Sequence, residues 1–196
     1  MDTSVQAEDV IRAGRGGLML AMLGAGWLGW GLGSANAFNV FVGPAFGFTA
    51  LFLLVFSFYF LRKGRQLRKS KPEIRIAARQ ISWKWFSFVV LLEAIAIVLA
   101  STLANRLLRA DLAMDWCALI AGLHFLPLAR VLRAPSLSVL GILMTLWCIF
   151  CWVVFHSTTI AISTALGTGI LLWGTSAYSL LRARRFELAL RPSVNS

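Results

Sequence analysis

The run VVLLEAIAIVLA, residues 89–100, is apolar except for one carboxylate, Glu93. Lys84 lies nine residues before it and Ala104 eleven after, so a helix here holds the acid roughly 14 Å from either end of the apolar segment. A charge at the centre of a bilayer costs about 3 kcal/mol on insertion scales, so Glu93 calls for a partner, a bound proton or water. The stretch AGLHFLPLAR offers His124, near the middle of the next apolar run and at a similar depth. Pro127 removes one backbone donor and frees the carbonyl of Leu123 as a further acceptor. An acid and an imidazole at matching depth form either a proton relay, because histidine changes charge in the physiological range, or a static polar clasp between two helices.

A second group of reactive side chains lies at the opposite interface. Cys148 and Cys151 in WCIFCW are one helical turn apart, Cys117 is near the start of its run, and His156 follows the fifth run. Thiolates with an imidazole could form a soft-metal or thiol-redox site. Buried cysteine also serves simply as a small apolar side chain. Asp111 and Asp115 are spaced to pair with Arg106 and Arg109 at the same surface. The motifs of common enzymes are missing: there is no G-x-S-x-G elbow, H-E-x-x-H or P-loop. No catalytic residue is therefore assigned and no cofactor is implied.

These groups sit in a chain whose composition specifies its class. Of 196 residues, 59% are hydrophobic and 14% charged, against about 25% charged in an average soluble domain. Six apolar runs, at 17–35, 41–61, 83–104, 113–129, 137–155 and 160–181, approach the roughly 20 residues that a transmembrane helix needs. Backbone groups in lipid must be satisfied within the segment, so the runs read as helices. The expected fold is all-α: a single bundle of six transmembrane helices, with a basic cytoplasmic loop at 62–82 and a cytoplasmic tail at 182–196.

The net charge of +11 would fit nucleic acid if the cations were spread over a surface, but they are grouped between apolar runs. With the N-terminus inside, 17 of the 19 Lys and Arg residues fall on the inner side and only Arg106 and Arg109 outside. That asymmetry is the positive-inside rule, and it places both termini in the cytoplasm. The first run also imitates a secretory signal ending in Ala35-Asn36-Ala37, although Asp2, Glu8 and Asp9 precede it where such signals are basic.

Two features point to partners. Gly17, Ala21, Ala25, Gly29 and Gly33 recur every four residues, a small-residue stripe suited to close helix packing within the chain or to an oligomer interface. Arg62, Lys63, Arg65, Arg68, Lys69 and Lys71 crowd the inner loop and suit anionic lipid headgroups, at about 1 kcal/mol per residue near the surface. The same cluster has a plainer role in setting topology. A weak internal repeat links residues 45–62 with 165–182.

GLHFLPLAR and WKWFSFVVLLEAIAI resemble segments of small six-span proteins of bacterial cytoplasmic membranes. The resemblance covers the third and fourth runs and implies a location but no activity. Three classes of function remain. One is a small proton-linked transporter or channel subunit using Glu93 and His124. A second is a membrane scaffold or partner-binding subunit, comparable to the six-helix substrate-binding subunits of energy-coupling importers, docking through the stripe of the first helix. The third is a membrane enzyme or redox protein using the thiols. Homo-oligomers or a second membrane subunit fit the first two, and nucleic acid fits none.

Overall fold

The computed structural model describes residues 3–70, 83–106, 113–132, 134–155 and 158–190. The described residues form six helices in order: α1 Thr3–Ser34, α2 Val42–Ser70, α3 Trp83–Arg106, α4 Ala113–Leu132, α5 Pro135–Val154 and α6 Thr158–Leu190. No strand occurs among the described residues. Five helices contain a stretch long and apolar enough to cross a membrane: Val10–Ser34, Val42–Gln66, Ala113–Leu132, Pro135–Val154 and Thr159–Arg185. The apolar stretch within α3 is shorter, Ser87–Ala100. Polar residues flank it, with Lys84 before and Thr102, Asn105 and Arg106 after.

Three helices overrun the apolar boundaries. α1 starts at Thr3, well before residue 17, α2 continues through the basic stretch to Ser70, and α6 runs past the last apolar residues to Leu190. The expected loop at 62–82 and tail at 182–196 therefore begin as helix. Lengthening a formed helix adds one hydrogen bond per residue ordered, and Arg, Lys, Gln and Leu are good helix formers. After Pro44 in its first turn, α2 meets no proline before Pro72, which lies outside the described residues.

The helix ends follow from local chemistry. α1 stops where Asn36 adopts a left-handed conformation, φ 51°. There Ala37 N–H donates to the Leu32 carbonyl at 2.9 Å and Asn36 N–H to that of Gly33 at 3.0 Å, a Schellman-type ending. Ala35-Asn36-Ala37 is thus a helix-terminating turn. Asn39 caps α2 through Oδ1, which accepts from the N–H groups of Phe41 and Val42 at 2.9 Å each. Pro135 opens α5, where a backbone donor is not needed.

The chain divides into two compact units. The first comprises Met1–Ala25, Asn39–Gln80 and Leu172–Ser196, and the second Gly26–Phe38 and Ile81–Leu171. α1 and α6 each contribute to both. In the first unit Val10, Ala21, Leu53, Phe60, Leu180 and Ala183 form one buried cluster drawn from α1, α2 and α6. The helices approach closely at glycine. A methyl group on Gly14 would lie 2.9 Å from the Leu61 backbone nitrogen, and one on Gly64 would lie 3.1 Å from that of Ile11. α6 is tied to α1 by two bonds to backbone carbonyls: Trp173 Nε1 to Ala21 at 3.0 Å and Ser176 Oγ to Gly17 at 2.8 Å.

In the second unit α4 and α5 form a tight antiparallel hairpin. A Cβ on Gly141 would meet the Gly122 carbonyl oxygen at 2.6 Å, so the two backbones are nearly in contact. Buried residues of α4 fall at 115, 118, 122, 125, 128 and 129, the spacing of one helix face. Trp147 of α5 donates through Nε1 to the Ser163 carbonyl of α6 at 3.1 Å and fills the space beside Gly167.

Candidate functional site

Glu93 and His124 face each other. Nε2 of His124 lies 3.2 Å from Oε2 of Glu93, with 8% of the histidine side chain and 24% of the glutamate side chain exposed. The imidazole also lies against the backbone of Val89, one turn before Glu93 on α3. Val89 is buried, and the Phe125 ring meets the imidazole edge-on with centroids 6.1 Å apart.

The helices place this pair near their midpoints. Glu93 lies ten residues from the start of α3, and His124 eleven from the start of α4, roughly 15 Å and 17 Å of helix. Histidine occupies the α4 face turned to α3, whereas the buried row at 118, 122 and 125 turns to α5. α4 continues through Pro127 to Leu132, with Pro127 and the Leu123 side chain exposed. A Glu–His contact holds one proton in two arrangements, carboxylate with imidazolium or carboxylic acid with imidazole. Both are neutral as a pair, so the proton can shift within it while the pair stays neutral.

The thiols sit on α4 and α5. Cys148 and Cys151 are fully buried on α5, and Cys117 is half-buried. His156 lies outside the described residues. Among the described residues no group of three His, Cys, Asp or Glu side chains is placed to hold a metal ion. The carboxylate near the thiols is Asp115. It is fully buried and acts electrostatically on both Cys148 and Cys151, and the buried Thr164 of α6 lies beside Cys151.

Asp115 is thus in the interior, while Arg106 is exposed and Arg109 and Asp111 lie outside the described residues. Its position explains the burial. It sits in the first turn of α4, where a carboxylate complements the helix dipole, and on the same face as Ala118, Gly122 and Phe125. That spacing was the signal in the sequence, outweighed there by the i,i+4 relation to Asp111. No known protein family, curated protein or solved structure matches the chain.

The small-residue stripe does not remain on one face. Gly17 and Ala21 are buried, Ala25 and Gly29 half-buried, and Gly33 exposed. A strict four-residue repeat turns about 40° per step around a helix of 3.6 residues per turn, so Gly33 points roughly 160° away from Gly17. Gly17 and Ala21 are covered by the chain's own residues, with a Cβ on Gly17 lying 3.0 Å from Leu180 and 3.2 Å from Ser57. The closest approaches elsewhere involve glycines outside the repeat, among them Gly14, Gly31 and Gly64. Of the basic cluster, Arg62 and Arg65 are exposed and Lys63 is half-buried. Arg68 and Lys69 belong to the end of α2, and Lys71 lies outside the described residues.

Proposed function

We propose that the chain is a six-span membrane protein, with both termini cytoplasmic, whose Glu93–His124 pair moves a proton within the bilayer as part of a small proton-linked transporter or channel subunit. The observation that carries this reading is the 3.2 Å contact between two ionisable side chains deep in adjacent apolar helices. Ionisable groups at such depth are rare and mark ion or proton pathways. The distribution of Lys and Arg supports the orientation, with 17 of 19 on the inner side of the six-span arrangement. A bacterial cytoplasmic membrane is the location that the sequence resemblance favours.

The test is difference infrared spectroscopy of the reconstituted protein, comparing wild type with Glu93→Gln and His124→Ala. A carboxyl band that titrates in the physiological range, disappears in Glu93→Gln and shifts in His124→Ala supports a shared proton. A band indifferent to His124 overturns it.

The position of the imidazole against the Val89 backbone favours a second reading, in which the ring is a fixed clasp and the protein a non-catalytic scaffold. Proton flux separates the two. Glu93→Gln abolishes it in a transporter, and a scaffold keeps its assembly with either side chain.

A further inference from the structure

The cationic end of the first unit carries a second feature. The contacts that stagger its helices also align their basic residues. Gly14 packs on Leu61, which puts the next residues, Arg15 and Arg62, at one level. Ile11 packs on Gly64, which puts Arg65 about one turn further out. Gly17 packs on Leu180, and the antiparallel run of α6 carries Arg184 and Arg185 to these same levels.

All five of these arginines are exposed. Arg12, Lys63 and Arg182 belong to the same three helix ends, and each of them also engages another group of the chain. No acid occurs within residues 10–17, 61–66 or 180–185, while Glu8, Asp9 and Glu187 follow further along α1 and α6.

Beneath the arginines the surface is apolar. Met19 lies one turn from Arg15, Phe58 one turn from Arg62, and Leu181 one turn from Arg185, and these three side chains are 45%, 63% and 59% exposed. Residues four apart share a helix face, so each helix presents a cation directly above an uncovered hydrophobic side chain. A soluble polyphosphate or a nucleic acid would use the charges alone. An amphiphile with an anionic head and acyl chains uses both layers.

We propose that this end of the unit binds an anionic phospholipid whose headgroup carries two phosphates. A phosphate takes paired N–H bonds from one or two guanidinium groups. Two tiers of arginine on three helices therefore offer more donors than a single phosphate can accept. The proposal rests on the chain being embedded in a membrane and is independent of the Glu93–His124 pair.

The experiment uses the full-length protein, delipidated in detergent and titrated with diphosphatidylglycerol or phosphatidylglycerol at matched total charge. Bound lipid is read by native mass spectrometry. The expected result is a preference of about ten-fold or more for the two-phosphate lipid, equivalent to about 1.4 kcal/mol. Neutralising Arg62 and Arg65 together, or Arg184 and Arg185 together, with Gln weakens that binding by about five-fold per arginine.

Arg62→Lys with Arg65→Lys keeps the charge but loses the guanidinium fork, so it falls between wild type and the Gln pair. Arg130→Gln, an exposed arginine in the last turn of α4, leaves binding unchanged. Equal binding of the two lipids, equal loss on Arg130→Gln, or displacement of the lipid by inorganic pyrophosphate at matched concentration would overturn the proposal. Flotation with phosphatidylcholine vesicles tests membrane embedding separately, so a failure of that premise is recognised as such.

Discussion

In the first unit, Trp173 and Ser176 of α6 donate to backbone carbonyls of α1, whereas in the second His124 of α4 meets a carboxylate of α3. Both units also use glycine at close helix contacts, Gly14 and Gly64 in one and Gly122 and Gly141 in the other. The difference lies in what the polar bonds can do. A backbone carbonyl has no second protonation state, so the bonds of the first unit fix geometry and nothing more. The second unit gathers groups that can gain or lose a proton: Glu93, His124, and the buried set of Asp115, Cys148 and Cys151. The inter-helix bonds of one unit have a single protonation state, and the contact in the other has two.

The largest effect that would sharpen this contrast comes from Glu93→Gln. The amide keeps the shape and a hydrogen bond to His124 but cannot exchange a proton, so proton flux in proteoliposomes falls to background. Unfolding stability stays within about 1 kcal/mol, because one hydrogen bond replaces another. The contrast breaks if flux persists, for the ionisable pair would then be a clasp like the bonds of the first unit.

The next effect is on stability. Gly141→Ala would drive a Cβ onto the Gly122 carbonyl oxygen at 2.6 Å, a backbone atom that cannot rotate away. We expect a loss of about 1–3 kcal/mol, the usual range for overpacking, measured by reversible unfolding in mixed micelles. Gly17→Ala meets the end of the flexible Leu180 side chain at 3.0 Å, so its loss falls at or below the low end of that range. If the two variants behave alike, close backbone approach is not what joins α4 to α5.

Much of this arrangement was legible in the sequence, and what was missed had physical causes. The apolar runs located the helices, because no other backbone structure satisfies its own hydrogen bonds in so long an apolar segment. Depth along a helix is linear in residue number, so the sequence alone sets Glu93 and His124 at one level without fixing their facing. Facing is set by partner helices, which is why the burial of Asp115 and the closeness of Gly122 to Gly141 were not foreseen. The stripe at 17, 21, 25, 29 and 33 failed as one face because four does not equal 3.6. The basic stretches read as loop and tail because charge marks the membrane boundary, whereas a helix ends where its hydrogen bonding ends.

Smaller again is the effect of removing one brace. Ser176→Ala deletes the bond to the Gly17 carbonyl, and bonds of this kind between apolar helices contribute about 0.6 kcal/mol on average. Trp173→Phe deletes the bond to Ala21 but keeps most of the ring that stacks on Phe46, with centroids 5.5 Å apart, so its bond contributes a similar loss. Neither change alters proton flux, since neither residue titrates or contacts the Glu93–His124 pair.

The smallest change tests whether glycine matters for its size at all. Around Gly174 nothing lies within 4 Å of an added Cβ, so Gly174→Ala meets open space on α6. Alanine is favoured over glycine in a helix by about 1 kcal/mol in water, and less of that advantage remains where a helix is held by its neighbours. The expected result is therefore no loss and a gain of a few tenths of a kcal/mol. A clear loss at Gly174 would mean that an unseen surface covers this side of α6, and the first unit would then be part of an interface as well as a brace.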